Sequence, residues 1–121
     1  MSYYFSKSSA SRLESCHEDL IILGYEMIQV INFTVLCGTR GEKEQNEAFD
    51  SGKSGCRYPD SYHNSPISLA FDVAPYPIDW DDLARFSLLG GIAIGIAAQR
   101  GIDLEWGGTW GWDFGHFQLR V

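Results

Sequence analysis

The chain has 121 residues, of which 45% are hydrophobic, and its formal net charge at pH 7 is −7. A chain of this length buries enough apolar surface to fold without disulfides, so we expect residues 1–121 to form a single domain. The acidic charge argues against binding to nucleic acid, because affinity for the phosphate backbone depends on lysine and arginine. No apolar run reaches the roughly 20 residues that span a bilayer, so we expect no membrane insertion.

The N-terminus has neither a basic segment followed by a long apolar stretch nor a small-residue cleavage site, so no signal peptide is predicted. We therefore expect synthesis in a cytoplasm. The three cysteines, Cys16, Cys37 and Cys56, are odd in number and lack a CxxC spacing. This pattern argues against a disulfide framework and against a thiolate zinc knuckle, and it predicts free thiols.

The first elements follow from apolar spacing. Serines within residues 8–11 are predicted to cap one amphipathic helix, whose apolar residues recur at spacings of three and four. These apolar residues are Leu13, Cys16, Leu20, Leu23 and Met27. Phe33–Cys37 is apolar and β-branched and stops at Gly38, which predicts a buried strand. A second helix is predicted over residues 42–51, with Gly52 after its C-terminus.

A long loop and a charged strand come next. Residues 53–68 are rich in Gly, Ser, Pro, Asn and Tyr and have no sustained period, which predicts a loop. Loops of this length in a compact domain are usually functional or disordered. Residues 69–74 are predicted to form a short strand that carries Asp72 in its middle.

The last third of the chain completes the predicted fold. Asp79 is expected to cap a helix over about residues 80–100. Leu104–Trp106 and His116–Leu119 are predicted to be two further strands around a Gly/Trp turn. The resulting fold class is α+β, with a small antiparallel sheet packed against helices.

Two histidines and one carboxylate have the composition of a catalytic zinc site. His63, Asp72 and His116 would supply three protein ligands and leave a fourth position open for water. Asp72 lies in an otherwise apolar strand, where a carboxylate without a partner is costly, so it must be paired or bound to a cation. The alternative for Asp72 is a salt bridge to Arg57 or Lys53.

Two more residues suit hydrolysis at such a site. A zinc hydrolase needs a carboxylate that takes a proton from water and passes it to the leaving amine, and Asp113, three residues before His116, suits this role. Arg40, between Gly38 and Gly41, is predicted to stabilise negative charge on the carbonyl oxygen. The alternatives are a turn-forming aspartate and a surface arginine.

Three separated segments together resemble a known family. They are Gly38-Thr39-Arg40 with Glu44-Gln45, Ser61-x-His63 with Ser68-x-Ala70-Phe71-Asp72, and Trp106-Gly107-Gly108-x-Trp110 with Asp113-x-x-His116-Phe117-Gln118. The pattern resembles the VanX/VanY-type zinc peptidases with the hedgehog-like, D-Ala-D-Ala peptidase fold. Within them it looks like the bacteriophage endolysins that cleave the L-alanyl-D-glutamate bond of peptidoglycan stem peptides. The resemblance covers about residues 13–119.

The resemblance implies roles for individual residues. His63, Asp72 and His116 would bind one zinc ion, Asp113 would be the catalytic acid and base, and Arg40 would stabilise the oxyanion. Residues expected to position the substrate or to support the ligands are Ser61, Gln45, Trp110 and Trp112.

The resemblance also implies a biological setting. The partner would be a peptidoglycan stem peptide, and the protein would be a monomeric catalytic domain without a separate cell-wall-binding domain. It would be made in the cytoplasm of the host bacterium and act on the wall after release.

Two alternative functions remain at this point. One is a D-alanyl-D-alanine carboxypeptidase or dipeptidase of the same superfamily, which would need a cation for the free C-terminal carboxylate. These enzymes commonly carry glutamate where this chain has Asp113, so the aspartate favours the L-alanyl-D-glutamate bond. The other is a non-catalytic hedgehog-like, metal-containing binding module, which would need neither Asp113 nor Arg40.

Overall fold

The computed structural model describes residues 3–64 and 66–120. In this part of the chain a four-stranded antiparallel sheet, with strand order β1-β2-β4-β3, packs against helices. The elements are α1 (Lys7–Glu14), α2 (Glu18–Met27), β1 (Phe33–Cys37), α3 (Glu42–Asp50), β2 (Ala70–Pro75), α4 (Leu83–Arg100), β3 (Leu104–Trp106) and β4 (His116–Leu119), with 3-10 turns at Tyr62–Asn64 and Gly107–Trp110. The predicted α+β class with a small antiparallel sheet is confirmed.

The predicted first helix is two helices. Ser6, rather than a serine within residues 8–11, caps α1. Between the helices His17 N donates to Ser68 O at 2.8 Å, and Ser68 N donates to Ser15 O at 3.1 Å. The helix is interrupted because the end of the long loop takes these backbone hydrogen bonds. The apolar residues Leu13, Cys16, Leu20, Leu23 and Met27 are nevertheless all buried.

The long helix α4 begins at Leu83, later than predicted. Asp82 is its cap, since Asp82 Oδ1 accepts a hydrogen bond from Arg85 N at 3.2 Å. Asp79 instead closes the preceding turn by accepting from Asp81 N at 3.0 Å. Several aspartates compete for one cap here, and spacing alone does not select among them.

Strand alternation separates the core from the site. Phe71 and Val73 on β2 and Phe117 on β4 are fully buried in the core. Each such side chain contributes about 1.5–3 kcal/mol when removed from water. Because successive side chains point to opposite faces, Asp72 lies on the other face of β2. His116 pairs directly with Asp72 across the β2–β4 ladder and shares that face.

A β-bulge brings a third strand to the site. Val35 pairs with Val73, and Cys37 pairs with Asp72. The pairing thus advances two residues along β1 but only one residue along β2. The extra residue reverses the alternation of β1. Cys37 therefore joins Asp72 and His116 in one row across three strands.

The structure also bears on the predictions about the cysteines and about membrane insertion. Its three cysteines are free, as predicted. Among residues 3–64 and 66–120, no helix has the length and hydropathy that crossing a membrane requires.

Candidate active site

Asp72 lies at the centre of the site. His63 Nε2 is 3.3 Å from Asp72 Oδ2, and His116 Nδ1 is 2.8 Å from Asp72 Oδ1. Arg40 Nη2 lies 3.5 Å from Asp72 Oδ2. The structure thus brings together both predicted histidines, the predicted carboxylate and the predicted arginine, from the segment after β1, the long loop, β2 and β4.

The alternative salt bridges of Asp72 do not form. Arg57 pairs with Asp50 at 2.9 Å on the surface. Lys53 makes no ion pair with any residue that the structure describes. Arg40, which the sequence assigned a different role, is the basic side chain beside Asp72.

A short turn and a glycine carbonyl orient His63. Ser61 Oγ accepts a hydrogen bond from His63 N at 3.2 Å and so holds the turn, consistent with its predicted supporting role. His63 Nδ1 lies 2.7 Å from Gly38 O. Because a carbonyl only accepts, Nδ1 must be the donor, and Nε2 is the nitrogen that faces Asp72. A fixed outer nitrogen of this kind orients metal-binding histidines.

A chain of polar contacts orients His116. His116 Nε2 lies 2.8 Å from Gln118 Oε1, and Gln118 Nε2 donates to Glu105 Oε1 at 3.1 Å. Because the Glu105 carboxylate only accepts, it fixes the orientation of the Gln118 amide, and His116 Nε2 must donate. His116 Nδ1 is left facing Asp72. A role for Gln118 was not predicted. Its position two residues after His116 in the same strand nevertheless places both side chains on one face of the sheet.

The charges around Asp72 shift the pKa values of the cluster. Burial alone would lower the pKa of His63, but hydrogen bonds with Asp72 and Cys37 outweigh it and raise that pKa from 6.5 to about 10. Burial would also lower the pKa of His116, but its hydrogen bond with Asp72 outweighs burial, and the pKa is raised. Burial would raise the pKa of Asp72, yet hydrogen bonds from His116 and His63 hold it well below its usual range. The Asp72 carboxylate thus favours positive charge on both imidazoles.

Cys37 forms part of a second possible ligand set. One donor atom each from Cys37, His63 and Asp72 lie within 4.8 Å of one another, so these residues could hold a metal. However, Cys37 Sγ lies 3.8 Å from His63 Nδ1, the nitrogen that donates to Gly38 O, and 3.5 Å from Arg40 Nη2. A role for this thiol was not predicted, because Cys37 falls in an apolar run typical of a buried strand and the bulge has no clear sequence signal.

Buried polar contacts hold Arg40. Arg40 Nη1 donates to Gln45 Oε1 at 2.9 Å, and Gln45 is fully buried. The Gln45 amide also donates to Ser54 Oγ at 2.8 Å and to Cys56 O at 2.7 Å. Asn64 Nδ2 donates to Arg40 O at 3.0 Å and to Gln45 Oε1 at 3.1 Å. Gln45 therefore supports Arg40, and Asn64, which the sequence analysis missed, joins the same network.

Two clefts meet above the Asp72 row. The first, of about 300 Å³, is lined by residues that include His63, His116, Arg40, Ser61 and Trp110. The second, of about 430 Å³, includes the large apolar side chains Trp80, Leu83, Phe86 and Phe114 in its lining. Both clefts are lined by Lys53, Asp72, Trp112 and Asp113.

Asp113 is a partly exposed carboxylate at the junction of the clefts. Its carboxylate makes no hydrogen bond to a residue within the described ranges. Burial raises the pKa of Asp113, and the charge of Asp72 adds to this effect against the opposing influence of His116. A free carboxylate with a raised pKa is suited to accepting a proton and returning it.

Trp110 and Trp112 line the first cleft. The Trp110 ring lies 5.5 Å from the His116 ring and 5.9 Å from the Trp112 ring. Trp110 Nε1 also donates to Glu105 Oε2 at 2.9 Å. Trp112 is 68% exposed, so it does not pack in the core.

Comparison with known proteins places this chain and its fold among the peptidases. The sequence matches the phage L-alanyl-D-glutamate peptidase family over residues 1–118. The chain belongs to this family, which confirms the predicted class of enzyme.

A solved structure supports the same conclusion. The L-Ala D-Glu endopeptidase ChiX of Serratia marcescens is similar, with a TM-score of 0.81 and 28% sequence identity over 96% of this chain and 89% of that chain. This similarity confirms the predicted peptidase fold. No curated protein matches the sequence significantly.

Proposed function

We propose that the protein is a zinc-dependent peptidoglycan peptidase that hydrolyses the L-alanyl-D-glutamate bond of stem peptides. Its family supports the choice of bond. The main support for the metal is that His63 Nε2 and His116 Nδ1 approach the same Asp72 carboxylate, at 3.3 and 2.8 Å. The proposed setting is phage lysis, with synthesis in the host cytoplasm and action on the wall after release.

His63, Asp72 and His116 would hold one zinc ion. Two imidazoles and a carboxylate are the donor types of catalytic zinc sites. Both outer nitrogens are occupied, by Gly38 O and by Gln118 Oε1, which leaves the two inner nitrogens for the metal. A divalent cation would supply the positive charge that the Asp72 carboxylate otherwise favours on the two imidazoles.

Cys37 is not proposed as a ligand. Its Sγ lies beside His63 Nδ1, whereas His63 Nε2 faces Asp72. The Arg40 guanidinium also contacts both Cys37 Sγ and Asp72 Oδ2 at 3.5 Å. The positive charge of Arg40 would repel a metal ion bound between Cys37 Sγ and Asp72 Oδ2.

Asp113 and Arg40 would each have a separate role in the hydrolysis. Zinc, when bound, would act as a Lewis acid toward the scissile carbonyl. Asp113 would take a proton from the attacking water and give it to the leaving amine of D-glutamate. Arg40, held by Gln45, would place its positive charge near the oxygen on which negative charge develops.

Mass spectrometry of a digest tests this function. The substrate is an N-acetylmuramoyl pentapeptide that ends in D-alanyl-D-alanine, incubated with the zinc-loaded protein. We expect a new peptide with N-terminal D-glutamate, because the bond before that residue is cut. Release of D-alanine without this product would instead identify a carboxypeptidase, and no cleavage of either bond would support the non-catalytic module.

A further inference from the structure

Lys53 is an uncommitted cation at the junction of the two clefts. It is exposed and lines both of them. Arg40 lines only the first cleft, and it already contacts Gln45, Cys37 and Asp72. Lys53 has no such partner among the residues that the structure describes. It is therefore the cation that remains available to a substrate.

The backbone of Lys53 is fixed by the end of α3. Gly52 adopts a left-handed conformation with φ of 80°. Gly52 N donates to Phe49 O at 3.1 Å, and Lys53 N donates to Ala48 O at 2.8 Å. These two bonds form a Schellman motif, which ends helices at a defined position. The lysine side chain thus extends from an anchored point at the cleft.

The substrate presents an anion close to the bond that is cut. In stem peptides D-glutamate continues the chain through its γ-carboxyl group, so its α-carboxylate is free. That carboxylate is attached to the carbon that bears the leaving amine. Because Asp113 would protonate this amine, the substrate carboxylate must lie near Asp113 when the bond breaks.

The surroundings of that carboxylate are acidic. Asp60, Asp72 and Asp113 line the first cleft, and the chain has a net charge of −7. Like charges at close range repel, so a second carboxylate needs a nearby cation to bind there. Zinc and Arg40 would be engaged with the scissile carbonyl, which leaves Lys53.

We propose that Lys53 binds the α-carboxylate of the D-glutamate on the leaving-group side and thereby selects D-glutamate over its α-amide, D-isoglutamine. This inference rests on the proposed function. Water competes with the substrate carboxylate for the exposed Lys53 ammonium. The expected preference is therefore modest, about 10-fold in kcat/KM, or about 1.4 kcal/mol. Salt should weaken the preference, because exposed charge pairs are screened.

Two matched substrates test the proposal. They are N-acetylmuramoyl-L-alanyl-γ-D-glutamyl-L-lysine and the same peptide with D-isoglutamine, assayed with each zinc-loaded protein. The wild type should prefer the carboxylate substrate about 10-fold, and Lys53→Met should reduce this ratio to about 1. Lys53→Arg should restore it, and Lys43→Met, at an exposed lysine outside both clefts, should keep the wild-type ratio.

The ratio of the two rates separates the possible failures. It is taken within one preparation, so partial loss of folded protein cancels. A Lys53→Met protein that keeps the wild-type preference, or a wild type without any preference, would overturn the role of Lys53 while the peptidase activity stands. Cleavage of neither substrate by the wild type would overturn the proposed function itself and this inference with it.

Discussion

Asp113 is the residue on which turnover depends in the proposed mechanism. It lies at the junction of both clefts, and its carboxylate is free of hydrogen bonds within the described chain. Asp113→Asn preserves shape but removes the proton acceptor, so we expect kcat to fall by about 10²- to 10⁴-fold with zinc content unchanged. Steady-state kinetics and elemental analysis of the same sample measure both quantities.

A second aspartate provides the control. Asp60 lines the first cleft but has no assigned role in proton transfer. Asp60→Asn should therefore retain most of the wild-type kcat. A wild-type kcat in Asp113→Asn would remove this residue from the mechanism.

The sequence could predict which residues form the candidate site but only some of the groups that hold them. His63, Asp72, His116 and Arg40 are distinctive because their types and order are unusual together, and the structure brings them together. The carbonyl of Gly38, which holds the His63 ring, has no sequence signal because every residue has a carbonyl group. Their roles in binding metal and in catalysis stay predictions.

At the scale of elements, the end of β1 positions the site through Gly38. A Cβ at this position would overlap the Arg12 carbonyl and Ser15 Oγ. Gly38→Ala should therefore shift the backbone, move the carbonyl away from His63 and destabilise the fold by about 1–3 kcal/mol. Urea unfolding gives the free-energy change, and competition with a zinc chelator should show weaker zinc binding.

Gly55→Ala is the control for this element. A Cβ at Gly55 would meet no atom within 4 Å, and its φ is not positive. The expected change in the free energy of unfolding is within about 0.5 kcal/mol. Equal stabilities and zinc affinities for Gly38→Ala and Gly55→Ala would contradict the role of the β1 end.

Elements were predictable where local pattern decides them. The strands Phe33–Cys37 and His116–Leu119 follow the predicted bounds because apolar runs and turn residues mark both ends. The break between α1 and α2 was not predictable, since it depends on hydrogen bonds from Ser68, distant in sequence. The bulge at Cys37 likewise depends on pairing with β2.

At the scale of the whole molecule, one face of the sheet packs in the core and the other carries the candidate site. Phe71, Val73 and Phe117 fill the core face, while Asp72 and His116 occupy the other face of the same strands. The sheet thus carries Asp72 and His116, and His63 reaches Asp72 from the 3-10 turn Tyr62–Asn64. Strand alternation made this division predictable, whereas the single-domain organisation and the monomeric state stay predictions.

The ligand set is the central claim, and zinc content measures it most directly. The proteins to compare are His63→Ala, His116→Ala and Cys37→Ser, with His17→Asn as a control, since His17 only caps α2 from an exposed position. Elemental analysis after zinc loading and dialysis should give about one zinc per chain for the wild type, Cys37→Ser and His17→Asn. It should give little zinc for His63→Ala and His116→Ala. Full zinc in His116→Ala together with loss of zinc in Cys37→Ser would contradict the account and assign the metal to Cys37, His63 and Asp72.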